Sequence, residues 1–195
     1  MRSNTYKNYV SKLCFTAMAV VLNLIGGQIA LLLKLPVYLD CIGTILTGAL
    51  LGPVWGMAPN FLSGIIMGFT VDIYSLYFAP VGIIVGFMAG ITGRSLMRGA
   101  SSFSPASLVG MLGSTVLVSV PGTIVAAVIN AILFGGVTSS GSSVIVQLLS
   151  HMGIGLTASI FIVQFLTDYL DRVLSVLVSR RLYAAIPSSM KNQFS

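Results

Sequence analysis

Residues 35–56 read LPVYLDCIGTILTGALLGPVWG, a glycine-laced apolar run entered directly from a carboxylate, Asp40. The rest of the chain gives that run its setting. Of 195 residues, 56% are apolar and 7% charged, and the mean hydropathy is +1.00. Soluble domains carry about 25% charged residues, so the composition specifies an integral membrane protein.

All four acidic residues are aspartates (Asp40, Asp72, Asp168, Asp171), and the one histidine is His151. With no glutamate, an HExxH metalloprotease is excluded. None of Lys7, Lys12, Lys34 and Lys191 follows a glycine, so the GxxxxGK[ST] phosphate loop is missing and ATP would have to be bound by another subunit. The net charge of +6 sits at the ends of apolar runs rather than on a basic face with stacking aromatics, which argues against a nucleic-acid partner. No cofactor or metal site is read. Cys14 and Cys41 are expected near opposite faces of the bilayer, roughly 30 Å apart, too far for a disulfide. Arg2, Lys7 and Lys12 precede the apolar run 13–33, but that run ends without a small-residue cleavage pattern and reads as a retained first span.

With about 20 apolar residues needed per crossing, the hydropathy predicts an all-α bundle of six transmembrane helices in a single domain. The spans are 13–33, 41–54, 60–71, 79–96, 106–134 and 144–166, followed by a polar tail over 167–195. Spans two and three are short and joined by a turn carrying Pro53, Gly56 and Pro59, so a re-entrant hairpin is an alternative to two crossings. Nine basic residues (Arg2, Lys7, Lys12, Arg94, Arg98, Arg172, Arg180, Arg181, Lys191) fall on the side of the termini, and only Lys34 falls opposite. The positive-inside rule then places both termini in the cytoplasm of a cell-membrane protein.

In that orientation polar residues gather at one level near the outer surface: Gln28, Tyr38, Asp40, Tyr74, Tyr77, Asn130, Gln147 and His151. Gln147 and His151 are four apart and share a helical face. Intramembrane polar groups line cavities or bond helix to helix; their convergence on one level points to an outward-facing binding pocket. Asp72 lies in the adjoining outer loop. Pro121 interrupts span five and frees the carbonyl of Leu117, and the loop 135–143, GGVTSSGSS, is a lid or a connector. Glycines repeating every four residues (Gly48, Gly52, Gly56; Gly64, Gly68; Gly82, Gly86, Gly90) are ridges for close helix packing.

The run LDCIGTILTGALLGPVWG, followed by YFAPVGIIVGFMAG, resembles the substrate-capturing S components of energy-coupling factor (ECF) vitamin transporters. The resemblance implies six membrane helices, both termini inside and an outward-opening pocket for a vitamin. It also implies a membrane coupling subunit and two cytoplasmic ATPase subunits as partners, with no catalysis by this chain. Docking through small residues on the first helix would fall on Ala17, Ala19 and Asn23. The general likeness favours pantothenate; a thiamin pyrimidine precursor, which would suit Asp40 and Asn130, and cobalamin are alternatives. Two other functions compete: a membrane sensor domain of a signalling system, and an intramembrane hydrolase pairing Ser63 or Ser114 with His151, although neither serine has a GxSxG setting. Asp40 itself, one residue ahead of span two, reads as a helix N-cap or as a ligand contact.

Overall fold

The computed structural model describes residues 2–100 and 104–194; the side chains of Arg2 and Lys7, which enter the charge bias, lie outside the described set. The chain is all-helical, with no strand among the described residues. Its elements are α1 (Arg2–Leu32), α2 (Ile42–Leu51), α3 (Pro53–Thr70), α4 (Ile73–Met97), α5 (Pro105–Ile129) and a π-helical turn (Asn130–Phe134) that continues α5. Then come α6 (Ser142–His151), α7 (Leu156–Ala185) and α8 (Ser188–Phe194). Among the described residues, three helical stretches, Asn8–Leu32, Ile73–Met97 and Pro105–Phe134, are long and apolar enough to cross a membrane.

Local chemistry sets the boundaries. Lys34 adopts a positive φ of 49° while the Leu35 N–H reaches back to the Ala30 carbonyl, a Schellman closure of α1. Gly52, at φ 89°, turns the chain between α2 and α3, and Pro53 is pre-set for the first turn of α3. Ser104 caps α5 by accepting from the Ser107 N–H, again with a proline at the first helical position.

The glycine ridges close the α2–α3–α4 layer. A Cβ on Gly86 would strike the Gly56 backbone, one on Gly90 would strike Pro53, and one on Gly48 would come within 2.9 Å of the Gly90 nitrogen. With no side chain between them, these helices pack backbone to backbone. Against that layer α4, α5 and α7 build the main core around Ile45, Val85, Leu96, Val118 and Val176.

α7 is inverted relative to a helix of a water-soluble protein. Its buried stripe carries Ser159, Gln164, Thr167, Asp168, Asp171, Arg172, Ser175, Ser179 and Arg180. Its outer face shows Ile162, Phe165, Leu166, Leu170, Leu174 and Val178. Water as the only solvent would favour the opposite arrangement; an apolar exterior around a polar interior suits lipid.

Two expectations about the chain's course are corrected. The apolar run 144–166 is not one helix: α6 ends at His151, the chain turns over 152–155, where Gly153 takes φ 95°, and α7 starts afresh. Residues 167–185 are therefore the body of α7 rather than a tail. The second correction concerns the start of α2. Loop 33–41 folds back along α1, so that Leu39 lies against Gly26 and Gly43 lies against Ala19. α2 thus begins beside the middle of α1, and as a helix of 10 residues it is about 15 Å long.

Candidate functional site

Loop 33–41 is held in place by α7. The backbone N–H groups of Tyr38 and Leu39 both donate to Asp171 Oδ1, at 3.0 and 2.6 Å. Leu39 has a φ of 54°, a costly conformation for a branched side chain; it turns two successive amides toward one oxygen, a small anion-holding nest. The other Asp171 oxygen pairs with Arg172 Nη1. Asp171 is fully buried and Arg172 nearly so, so the pair neutralises itself inside the bundle.

Asp40 does not cap α2. The residue at the cap position is Cys41, which makes no side-chain capping bond. Asn23 on α1 does the work from outside the helix: its Oδ1 accepts from the Gly43 N–H and its Nδ2 donates to Thr44 Oγ1, both at 2.8 Å. With the helix start already satisfied, the Asp40 carboxylate turns toward a hollow. It accepts from Cys41 Sγ at 3.2 Å, while its backbone carbonyl accepts from Asn60 Nδ2 at 2.8 Å.

Tyr38 and Asp40 are shared by three adjoining hollows. The innermost is lined by Asn60, Phe78, Gln164, Asp168 and Arg172 as well. Gly82 forms part of its wall, where a Cβ would collide with Asn60 Oδ1. A hydrogen-bond chain feeds this hollow from the π-helical turn: Asn130 Nδ2 donates to Gln164 Oε1 at 3.3 Å, and Gln164 Nε2 donates to Asp168 Oδ1 at 2.7 Å. Among the buried side-chain atoms without a hydrogen-bond partner are Arg172 Nε and Asn130 Oδ1.

A second hollow lies between Asp40 and the loop that follows α5, and is lined by Ser63, Met67, Asp72, Tyr74 and Ser139. Here Asp72 Oδ2 accepts from Ser75 at 3.0 Å and from Ser139 at 2.9 Å, tying the start of α4 to loop 135–141. The same loop bonds to the Leu35 carbonyl through the Gly141 N–H and Ser140 Oγ. Each of these two hollows measures about 40 Å³, room for about three waters. A vitamin-sized ligand requires the two loops to part.

Among the described residues Asp40, Cys41 and Asp171 bring potential metal ligands within 4.8 Å of one another. Those atoms are already engaged: Cys41 Sγ accepts from Asn60 Nδ2 at 3.2 Å and donates to Asp40, and Asp171 is paired with Arg172. A guanidinium at that position opposes a cation.

Of the residues expected to bind substrate, Tyr38, Asp40 and Tyr74 line the hollows. Asn130 stands behind them through Gln164. Tyr77 is half exposed and packs edge-on against Phe134. Gln28 is exposed on α1, and His151 is exposed at the end of α6, which among the described residues touches α7 and no other helix. Gln147 is half-buried on α6, away from these hollows. Among the expected docking residues, Ala19 lines an apolar groove with Phe15, Leu22, Leu46 and Leu182, Ala17 is exposed, and Asn23 is fully buried in its capping role. Ser63 on α3 donates to the Asn60 carbonyl and Ser114 on α5 bonds to Ser95, and among the described residues neither helix touches α6, which carries His151.

Asn60, Gln164, Asp168 and Arg172 were not expected in the site. The last three, with Asp171, fall at spacings of four, three and one on a single helical face, the signature of an intramembrane polar stripe. Closing the sixth span at Leu166 hid that signature. No family model, curated protein or solved structure matches the chain.

Proposed function

We propose that this chain is the substrate-capturing subunit of an ECF-type vitamin transporter. The carrying observation is the polar hollow around Tyr38, Asp40, Asn60, Asp168 and Arg172, roofed by two hydrogen-bonded loops and set inside a bundle whose outer surface is apolar.

The proposed topology has six crossings: α1, loop 33–41 with α2, α3, α4, α5 with its π-helical turn, and α7, with α6 as an outer appendage of α7. Both termini lie in the cytoplasm. Arg172 leaves the charge count, because it lies in the site; Arg180 is buried too, but it donates to the Leu96 and Gly99 carbonyls at the end of α4, and with Arg94, Arg98, Arg181 and Lys191 it stays opposite Lys34 in this topology. The hollow then opens outward beneath loops 33–41 and 135–141, and capture followed by loop closure separates the ligand from outside water. The apolar groove between α1, α2 and the end of α7 supports docking of a membrane coupling subunit at Ala19, with ATP hydrolysed by two partner ATPases.

A thermal-shift screen of the detergent-solubilised protein against B vitamins and their precursors tests this reading. One compound is expected to raise the melting temperature. Asp168→Asn should abolish that shift and His151→Ala should leave it intact. Equal effects of the two variants, or no shift with any compound, would refute the assignment of the site.

A further inference from the structure

We infer that the captured ligand is a nitrogen-bearing ring or base that offers hydrogen-bond donors or positive charge to Asp40 and Asp168, and not a free carboxylate. This rests on the capture reading above and narrows its substrate.

Charge is the first ground. Three aspartates, Asp40, Asp168 and Asp171, meet one guanidinium, Arg172, and among the described residues no other Lys, Arg or His lines the inner hollow. Asp171 and Arg172 satisfy each other, and the remaining Asp171 oxygen is taken by two backbone amides. Arg172 also acts electrostatically on Asp40 and Asp168, so one guanidinium is shared among three carboxylates and the cluster keeps an excess of negative charge. Asp168 is buried and Asp40 half-buried; holding carboxylates there in excess of their counter-charge is costly, and a ligand that brings positive charge or donors lowers that cost, whereas a carboxylate ligand adds to it.

The second ground is the inventory of unused atoms. Asp168 receives Gln164 Nε2 at Oδ1 and a further side-chain bond from Thr123, both neutral donors, and Asp40 receives one weak bond from a thiol. Asn130 Oδ1, buried behind Gln164, is an acceptor with no donor. Against these acceptors stands one orphan donor, Arg172 Nε, in the wall of the same hollow. A ligand edge with several donors and one acceptor meets that set, as in an aminopyrimidine. The aromatic walls Tyr38 and Phe78 favour a flat ring, and a cationic ring gains further from their faces.

Isothermal titration of the full-length protein in detergent decides the matter. The nitrogen arm is thiamin and its hydroxymethyl aminopyrimidine precursor; the carboxylate arm is pantothenate and biotin; zinc chloride alone is the third arm. The expected result is binding in the nitrogen arm, weakened about tenfold or more in Asp40→Asn and in Asp168→Asn, the effect of removing hydrogen bonds to a charged group. A second measurement needs no variant: the same pyrimidine without its amino group should lose about tenfold in wild-type protein. Tighter binding of pantothenate or biotin overturns the inference and leaves the capture reading standing. Zinc binding that is lost in Cys41→Ser overturns it in favour of a metal site. Silence of all three arms from protein with a normal unliganded melt overturns both.

Discussion

Asp171 and Arg172 are adjacent in sequence and buried together, one holding the loop before α2 and the other facing the hollow. Removing one partner strands a charge, so Asp171→Ala or Arg172→Ala should each destabilise the protein by about 3–5 kcal/mol, whereas the double replacement with apolar residues should recover much of the loss. Melting curves of the two single variants and the double variant in detergent measure the coupling, and additive losses would contradict it. Asn23 allows a cleaner test. Its side chain closes the start of α2 inside the bundle, so Asn23→Ala should lower the stability of the isolated subunit by about 1–3 kcal/mol. A residue serving only to dock a partner would leave the isolated melt unchanged.

At the scale of elements, α3 and α4 meet without intervening side chains, and the site depends on that closeness. Gly82 on α4 leaves the space that Asn60 on α3 occupies. Gly82→Ala should therefore displace Asn60 and weaken ligand binding, whereas the same change at Gly113, which meets nothing within 4 Å, should not; titration of both variants checks it. The roof yields a second test. Asp72 on the lead into α4 and Ser139 in loop 135–141 are bonded at 2.9 Å. In a Cys14→Ser background, the pair Asp72→Cys and Ser139→Cys should cross-link under oxidant, and ligand exchange should slow until the link is reduced. Unchanged exchange in the linked protein would show that this loop is not the gate. The loop sequence GGVTSSGSS already suggests a lid or a connector, but its hydrogen bonds to Leu35 and Asp72 are long-range, and nothing local in the sequence encodes them.

For the whole molecule, α7 shows where a linear reading stops. Hydropathy finds α1, α4 and α5, because each carries an uninterrupted apolar stretch, and composition alone places the chain among helical membrane proteins. It misplaces the last long helix, because the buried stripe of α7 is polar, and a one-dimensional average counts Asp168, Asp171 and Arg172 as a solvated tail. Labelling of single cysteines placed at residue 4 and at residue 189 should report both ends on the cytoplasmic side of intact cells, and a cysteine at residue 137 should react from outside; any other pattern would overturn the proposed topology. Tyr38, Asp40 and Tyr74, read from the sequence as candidates, line the hollows, whereas His151 and Gln28, read along with them, line none of the three. Membrane character, helical class and the close-packed glycine layer thus follow from residue type and spacing, since the cost of exposing backbone and charge to lipid is paid locally, residue by residue. Which polar groups meet, and that Asp40 faces a hollow rather than a helix start, was decided by tertiary contacts of Asn23, Asn60 and Asp171, because hydrogen-bond partners more than 15 residues apart leave no periodicity to read.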